Sequence, residues 1–184
     1  MNYINLEVVT RKYMLAEMTG DHFQGILYLS PRLNPYGRKR YPELLKEAIV
    51  DGNDSTLAAK ILAERCLNQY EQRGKLQVRV PYNAQETLAR GEFNRYYIRA
   101  LCLRAVEENK TLEVYRAMVV DNPRFESELK IGIRVDPVRL LRDLRSSIGV
   151  ETALGIPPGP GSGLSVKMVF NEAIDIHIVP DKVA

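Results

Sequence analysis

The stretch ETLARGEFNRYYIRALCLRAVEE, Glu86 to Glu108, decides how the rest of the chain is read. It has no proline and a single glycine, and its apolar and aromatic residues recur at helical spacing, so it predicts one long helix. Asn83 ahead of it can cap the first-turn amides while Glu86, three positions on, reaches back in a capping box, and Asn109 marks the stop. At about 100° per residue, Ala89, Phe93, Tyr96, Tyr97, Ala100 and Leu103 gather on one broad face. Ile98, Cys102 and Ala105 form a second apolar sector. Little of this helix is left for water, so it is expected to be the central core helix.

Four arginines interrupt that pattern. Arg95 and Arg99 share a narrow strip with Glu92, a spacing that predicts an ordinary wet ion network worth roughly a few tenths of a kcal/mol per pair. Arg104 lies on another line, with Arg90, Asn94, Tyr97, Leu101 and Glu108, and has apolar neighbours on both sides. Burying it unpaired would cost several kcal/mol, so it requires an acid. Glu107 or Glu108, a carboxylate from the arm or the loop, and an acidic group on another chain are the candidates.

Outward from this helix, NYINLEVV favours a strand while TRKYMLAEM after it is compatible with a helix, which leaves the N-terminal arm ambiguous. The segment from Gly20 to Pro42 is dense in glycine and proline and reads as irregular, which gives an extended N-terminal arm over residues 1–41. Residues 42–184 form the second unit, a single α+β domain. In it, PELLKEAIVDG is a short helix opened by Pro42, and the run from Asp54 or Ser55 to Gly74 is a second. KLQVRV alternates as a strand with Leu76, Val78 and Val80 inward. TLEVYRAMVV, ELKIGIRV, LSVKMVF and IDIHIV read as further strands, and PVRLLRDLRS as a helix capped by Asp136. The expected fold is α+β, with the long buried helix packed on a small, mostly antiparallel sheet.

Composition sets the limits on function. At 184 residues with 45% hydrophobic and 27% charged residues, the chain is long enough to bury a core without disulfides or metal. A net charge of +3 permits contact with nucleic acid without arguing for it, so any basic site must be local. Cys66 and Cys102 fall inside predicted helices and are expected as reduced, buried thiols, and with His22 and His177 they lack the close spacing of a zinc site. No apolar run reaches membrane-span length, and MNYINLEVVTRKY lacks the basic leader and apolar block of a signal peptide. A cytoplasmic location, or one within an assembled particle, is expected, with no membrane contact.

Three constellations could carry function. In ESELK, Glu128 and Lys130 match the E-x-K half of a metal-dependent nuclease signature, in which an acid holds a divalent cation and the lysine orients water; Asp121 or Glu113 would supply the second acid. The element order around it resembles the core of the PD-(D/E)xK nucleases, with Glu92 on the preceding helix, and the resemblance implies Mg as cofactor. It covers about half the chain. Asp121 is not preceded by proline, however, and DNPRFES leaves little room for the intervening turn and strand.

The second constellation is PRLNPYGRKRYP, where Arg32, Arg38, Lys39 and Arg40 stand among Tyr36 and Tyr41, a mixture suited to phosphate contact and base stacking or to clamping an acidic neighbour. The third, GIPPGPGSG, has neither phosphate-loop nor nucleophile-elbow spacing and reads as a turn or partner-contacting loop of fixed path. His177 and Asp175 read as the exposed side of a strand. Together these favour a non-catalytic structural or assembly subunit of a larger complex, a virion or other nucleoprotein particle being the type suggested. Its arm and loop would touch other protein subunits in a homo-oligomer or larger assembly. The nuclease and a nucleic-acid-binding module stand as alternatives.

Overall fold

The computed structural model describes residues 1–149, 152, 154–157, 159 and 161–170. In chain order its elements are α1 (Val8–Phe23), α2 (Pro35–Asp51), α3 (Asp54–Ala63), β1 (Tyr70–Arg73), β2 (Leu76–Arg79), α4 (Ala84–Glu107), β3 (Thr111–Arg116), α5 (Phe125–Glu128), β4 (Arg134–Val135), α6 (Pro137–Ser146) and β5 (Leu164–Val169). Sixteen of the 24 residues of α4 are buried, which a helix reaches only when neighbours cover it on several sides. Helices α1, α3 and α6 pack along it, and α2 wedges between α1 and α3. The strand order β4-β3-β5 makes a fully antiparallel three-stranded sheet, paired from Thr111 opposite Val169 to Arg116 opposite Leu164. Leu112, Val114, Leu164 and Val166 alternate onto its buried face, and the sheet packs against α4. The α+β class and the long buried helix are therefore as the sequence reads.

Several local expectations are overturned. Most of the stretch read as an extended arm is helical, because Thr10, Met14, Met18 and Asp21 form a buried stripe along α1. The strand-favouring Val8, Val9 and Thr10 yield to that stripe, and non-helical chain is confined to residues 1–7 and 24–34. Helix α2 starts at Pro35, seven residues before Pro42, since Asn34 Oδ1 accepts the Gly37 amide at 2.7 Å and Pro35 takes the first turn. Pro42 lies buried inside it.

Helix α3 is capped by Asn53, in a reciprocal box with Thr56, and ends at Ala63. Arg65 adopts φ +52° and the Cys66 amide turns back to Ile61 O, so QYEQR is freed to pair as β1. The β1–β2 hairpin stands outside the core, with Leu76 69% exposed where the alternation placed it inward. Asn83 precedes α4 without a side-chain cap bond; instead the Thr87 hydroxyl donates to Asn83 O. ELKIGIRV is mostly not a strand. Arg124 O accepts both the amide and the hydroxyl of Ser127, folding α5, and strand β4 is confined to Arg134 and Val135, with Gly132 and Ile133 bonding to Val114 just ahead of it. The strand expected at IDIHIV, with Asp175 and His177, lies outside the described residues. Among the described residues no helix is long and apolar enough to cross a membrane.

Candidate functional site

The arginine strip on α4 is not wet. Arg99 is 2% exposed, and its guanidinium donates to Asp21 Oδ2 at 2.6 Å, Asp21 Oδ1 at 3.0 Å and Glu17 Oε2 at 2.7 Å. Arg145 of α6 donates to the same Glu17, and the Tyr96 hydroxyl donates to Asp21 at 2.9 Å. Three helices are thereby joined through charge, buried at Arg99 and Asp21 and reaching the surface at Arg145. Burial pushes the Glu17 carboxyl up, but Arg145 and Arg99 outweigh it and hold it below its ordinary range. The strip read as solvated because the helix that covers it, α1, was ambiguous in sequence.

Two turns earlier on α4 the pairing is incomplete. Glu92 is 5% exposed, and its Oε1 sits 3.4 Å from Arg95 Nε. Its Oε2 is buried and no described atom donates to it. Burial, opposed by Arg95 and Arg99, pushes this carboxyl up to about 7. The Tyr41 hydroxyl, on α2, is likewise buried without a partner, and burial together with the Glu92 charge holds it well above the usual phenol range.

Glu92 lines an open cavity of about 270 Å³. Tyr28 and Arg32 contribute to it from residues 24–34, Arg95 from α4, and Gly149 and Thr152 from the loop after α6. Gly149 has φ +71°, and a Cβ there would lie 2.5 Å from the Tyr28 ring, so glycine is what lets the loop close against this wall. The described residues of the loop are held from several sides. Asp143 accepts the Leu154 amide at 2.8 Å, Thr152 Oγ1 accepts the Ile156 amide at 2.9 Å, and Lys130 Nζ donates to Leu154 O and Gly155 O at 3.2 and 2.7 Å. The cavity arginines are already engaged. Arg95 donates to Leu144 O and Ser147 O at 3.3 and 2.6 Å, while Arg32 makes a two-pronged pair with Glu71. The group left over is an acceptor, and near neutral pH it exchanges between carboxylate and acid. Such a group can bind a donor or relay a proton.

The residues singled out in sequence go elsewhere. Glu113 pairs with Lys167 across β3 and β5 at 2.9 Å, Glu128 with Arg116, and Lys130 with the loop carbonyls, while Asp121 is exposed in the β3–α5 connection. Among the described residues no three histidine, cysteine, aspartate or glutamate side chains converge as metal ligands. In the basic cluster Tyr41 is fully buried, and Tyr36 and Arg40 both donate to Glu64. Arg38 and Lys39 alone of that cluster's cations stand exposed, on α2 rather than on an irregular arm. Arg104 finds its acids within the chain. It donates to Glu108 at 2.8 Å, to Glu7, and to the Thr10 hydroxyl.

Sequence reasoning placed Glu92 on a solvated strip and so passed over the cavity. A signal was present: Glu17 and Asp21 are like charges four residues apart, a destabilising pair on an isolated helix that implies cations opposite. No family model matches the chain, and no curated protein or solved structure matches it significantly.

Proposed function

We propose that this protein is a non-catalytic subunit of a larger assembly and that a neighbouring protein subunit seats on the cavity where residues 24–34 and the loop after α6 meet α4. The observation that carries this reading is Glu92, which lines an open cavity and whose buried Oε2 is an acceptor left without a donor. Buried acceptors are normally satisfied, and leaving one unmatched costs about 1–3 kcal/mol or more for a charged group. An incoming partner that donates to it recovers that energy.

A protein partner is favoured by what adjoins the cavity. The connection from β3 to β4 exposes Val119, Phe125, Leu129, Ile131 and Ile133 at 87, 73, 60, 41 and 47%. Apolar side chains grouped in so short a segment mark an interaction surface. Lys130, in the same segment, donates to Leu154 O and Gly155 O of the loop whose Gly149, Thr152 and Pro157 line the cavity, which ties the segment to that loop. Sedimentation of the protein as isolated gently from its own cells tests the reading. Wild type is expected well above the 20.9 kDa of one chain, and Phe125→Asp with Leu129→Asp is expected to return it to that mass. Wild type sedimenting as a single chain throughout would overturn the proposal.

A further inference from the structure

The geometry points to a primary ammonium as the group the Glu92 cavity receives, presented by a lysine side chain of the neighbouring subunit. This inference rests on the assembly reading for the source of the lysine, but not for the chemistry of the site. Three observations carry it. First, Glu92 lines the cavity with one carboxylate oxygen, Oε2, buried and unmatched, and the cations beside it are already committed: Arg95 to Glu92 Oε1 and two backbone carbonyls, Arg32 to Glu71. An anionic ligand would meet that oxygen with no free guanidinium to offset it, whereas a donor is complementary.

Second, the volume of about 270 Å³ falls just below the roughly 300–1,000 Å³ of sites for whole small-molecule ligands, and it suits one long side chain. Third, Tyr28, Leu88, Leu144 and Pro157 line the cavity with apolar surface suited to a four-carbon stem, while the carboxylate meets the charged tip. A compact ammonium has three donors in place of a planar fork and can approach a single oxygen end-on.

Arg95 already offsets the Glu92 charge at Oε1, so the ammonium is favoured by the unmatched Oε2 rather than by net charge. The groups around Glu92 are Arg95, Tyr96 and Arg99 on α4, Asp21 on α1, Tyr41 on α2 and Arg32 at the cavity wall. Arg99 is held by Asp21 and Glu17, so its charge is largely neutralised before it reaches Glu92. An ammonium at Oε2 stabilises the ionised carboxylate directly and displaces its proton to solvent, so binding strengthens as pH rises through neutrality.

The test uses the isolated chain and n-butylammonium, followed by amide chemical shifts in ¹H–¹⁵N spectra. Saturable shifts are expected at Gly91, Glu92, Arg95 and Gly149. 1-Butanol, which lacks the charge, and tetramethylammonium, which lacks N–H donors, are expected to bind at least about tenfold more weakly, and so is n-butylammonium to Glu92→Gln. The two comparison ligands act on wild type and do not depend on how the variant folds. Equal binding of butanol or tetramethylammonium, undiminished binding to Glu92→Gln, or shifts confined to other residues would overturn the inference. Butylammonium binding by a chain that sediments alone would uphold the site and refute the assembly. A heavy assembly whose free chains ignore butylammonium would do the reverse.

Discussion

Single residues on α4 differ in what their pairing is worth. Arg99 is buried between Glu17 and Asp21, and removing it leaves two acids in the interior, so Arg99→Met is expected to cost about 3–5 kcal/mol in urea unfolding. Arg104 pairs with Glu7, whose side chain is 56% exposed and can return to water, so Arg104→Met is expected to cost less, roughly 1–2 kcal/mol. Glu92 has a characteristic pH signature. Its carboxyl is raised from 4.5 to about 7 in the folded protein, so between those values the native state holds a proton that the unfolded chain has released. Stability therefore falls as pH rises from 4.5 to 7 and levels off above, by an amount on the order of 3 kcal/mol for this one group. Glu92→Gln is expected to flatten that decline in unfolding curves measured across this range, and an unchanged pH dependence would refute the buried carboxylate as its source.

The elements show what a sequence can and cannot disclose. Helix α4 was legible because its apolar positions cover nearly its whole circumference, and α6 because Asp136 and Pro137 mark its start unambiguously. Helix α1 was not, since Val8, Val9 and Thr10 favour strands and its stripe gains meaning only against α4. That one omission misplaced Arg99 and Glu92 together, because a residue's exposure depends on what covers it. The need of Arg104 for an acid, by contrast, followed from its apolar neighbours alone. The seat of α2 offers a test at this scale. A Cβ on Gly37 would lie 2.1 Å from Cys66 O, a backbone atom three residues past the end of α3, so Gly37→Ala must push the two segments apart. A loss of about 1–3 kcal/mol or more is expected from thermal or urea unfolding, and a neutral effect would contradict this packing.

At the scale of the whole molecule, helices α1, α3 and α6 and the sheet enclose α4, and Glu92 is the buried carboxylate on it with an unmatched oxygen. The cavity beside it, walled by residues 24–34 and the loop after α6, adjoins the apolar connection between β3 and β4. An assembly that uses both surfaces must shield the cavity rim as well as the connection. Amide hydrogen exchange, compared between the assembled protein and the isolated chain, reads this directly. Exchange is expected to slow in the assembly at Tyr28–Arg32, at Gly149 and across Phe125–Ile133. Slowing elsewhere, for example on the β1–β2 hairpin, with the cavity rim unchanged would contradict the cavity as the seat of the partner.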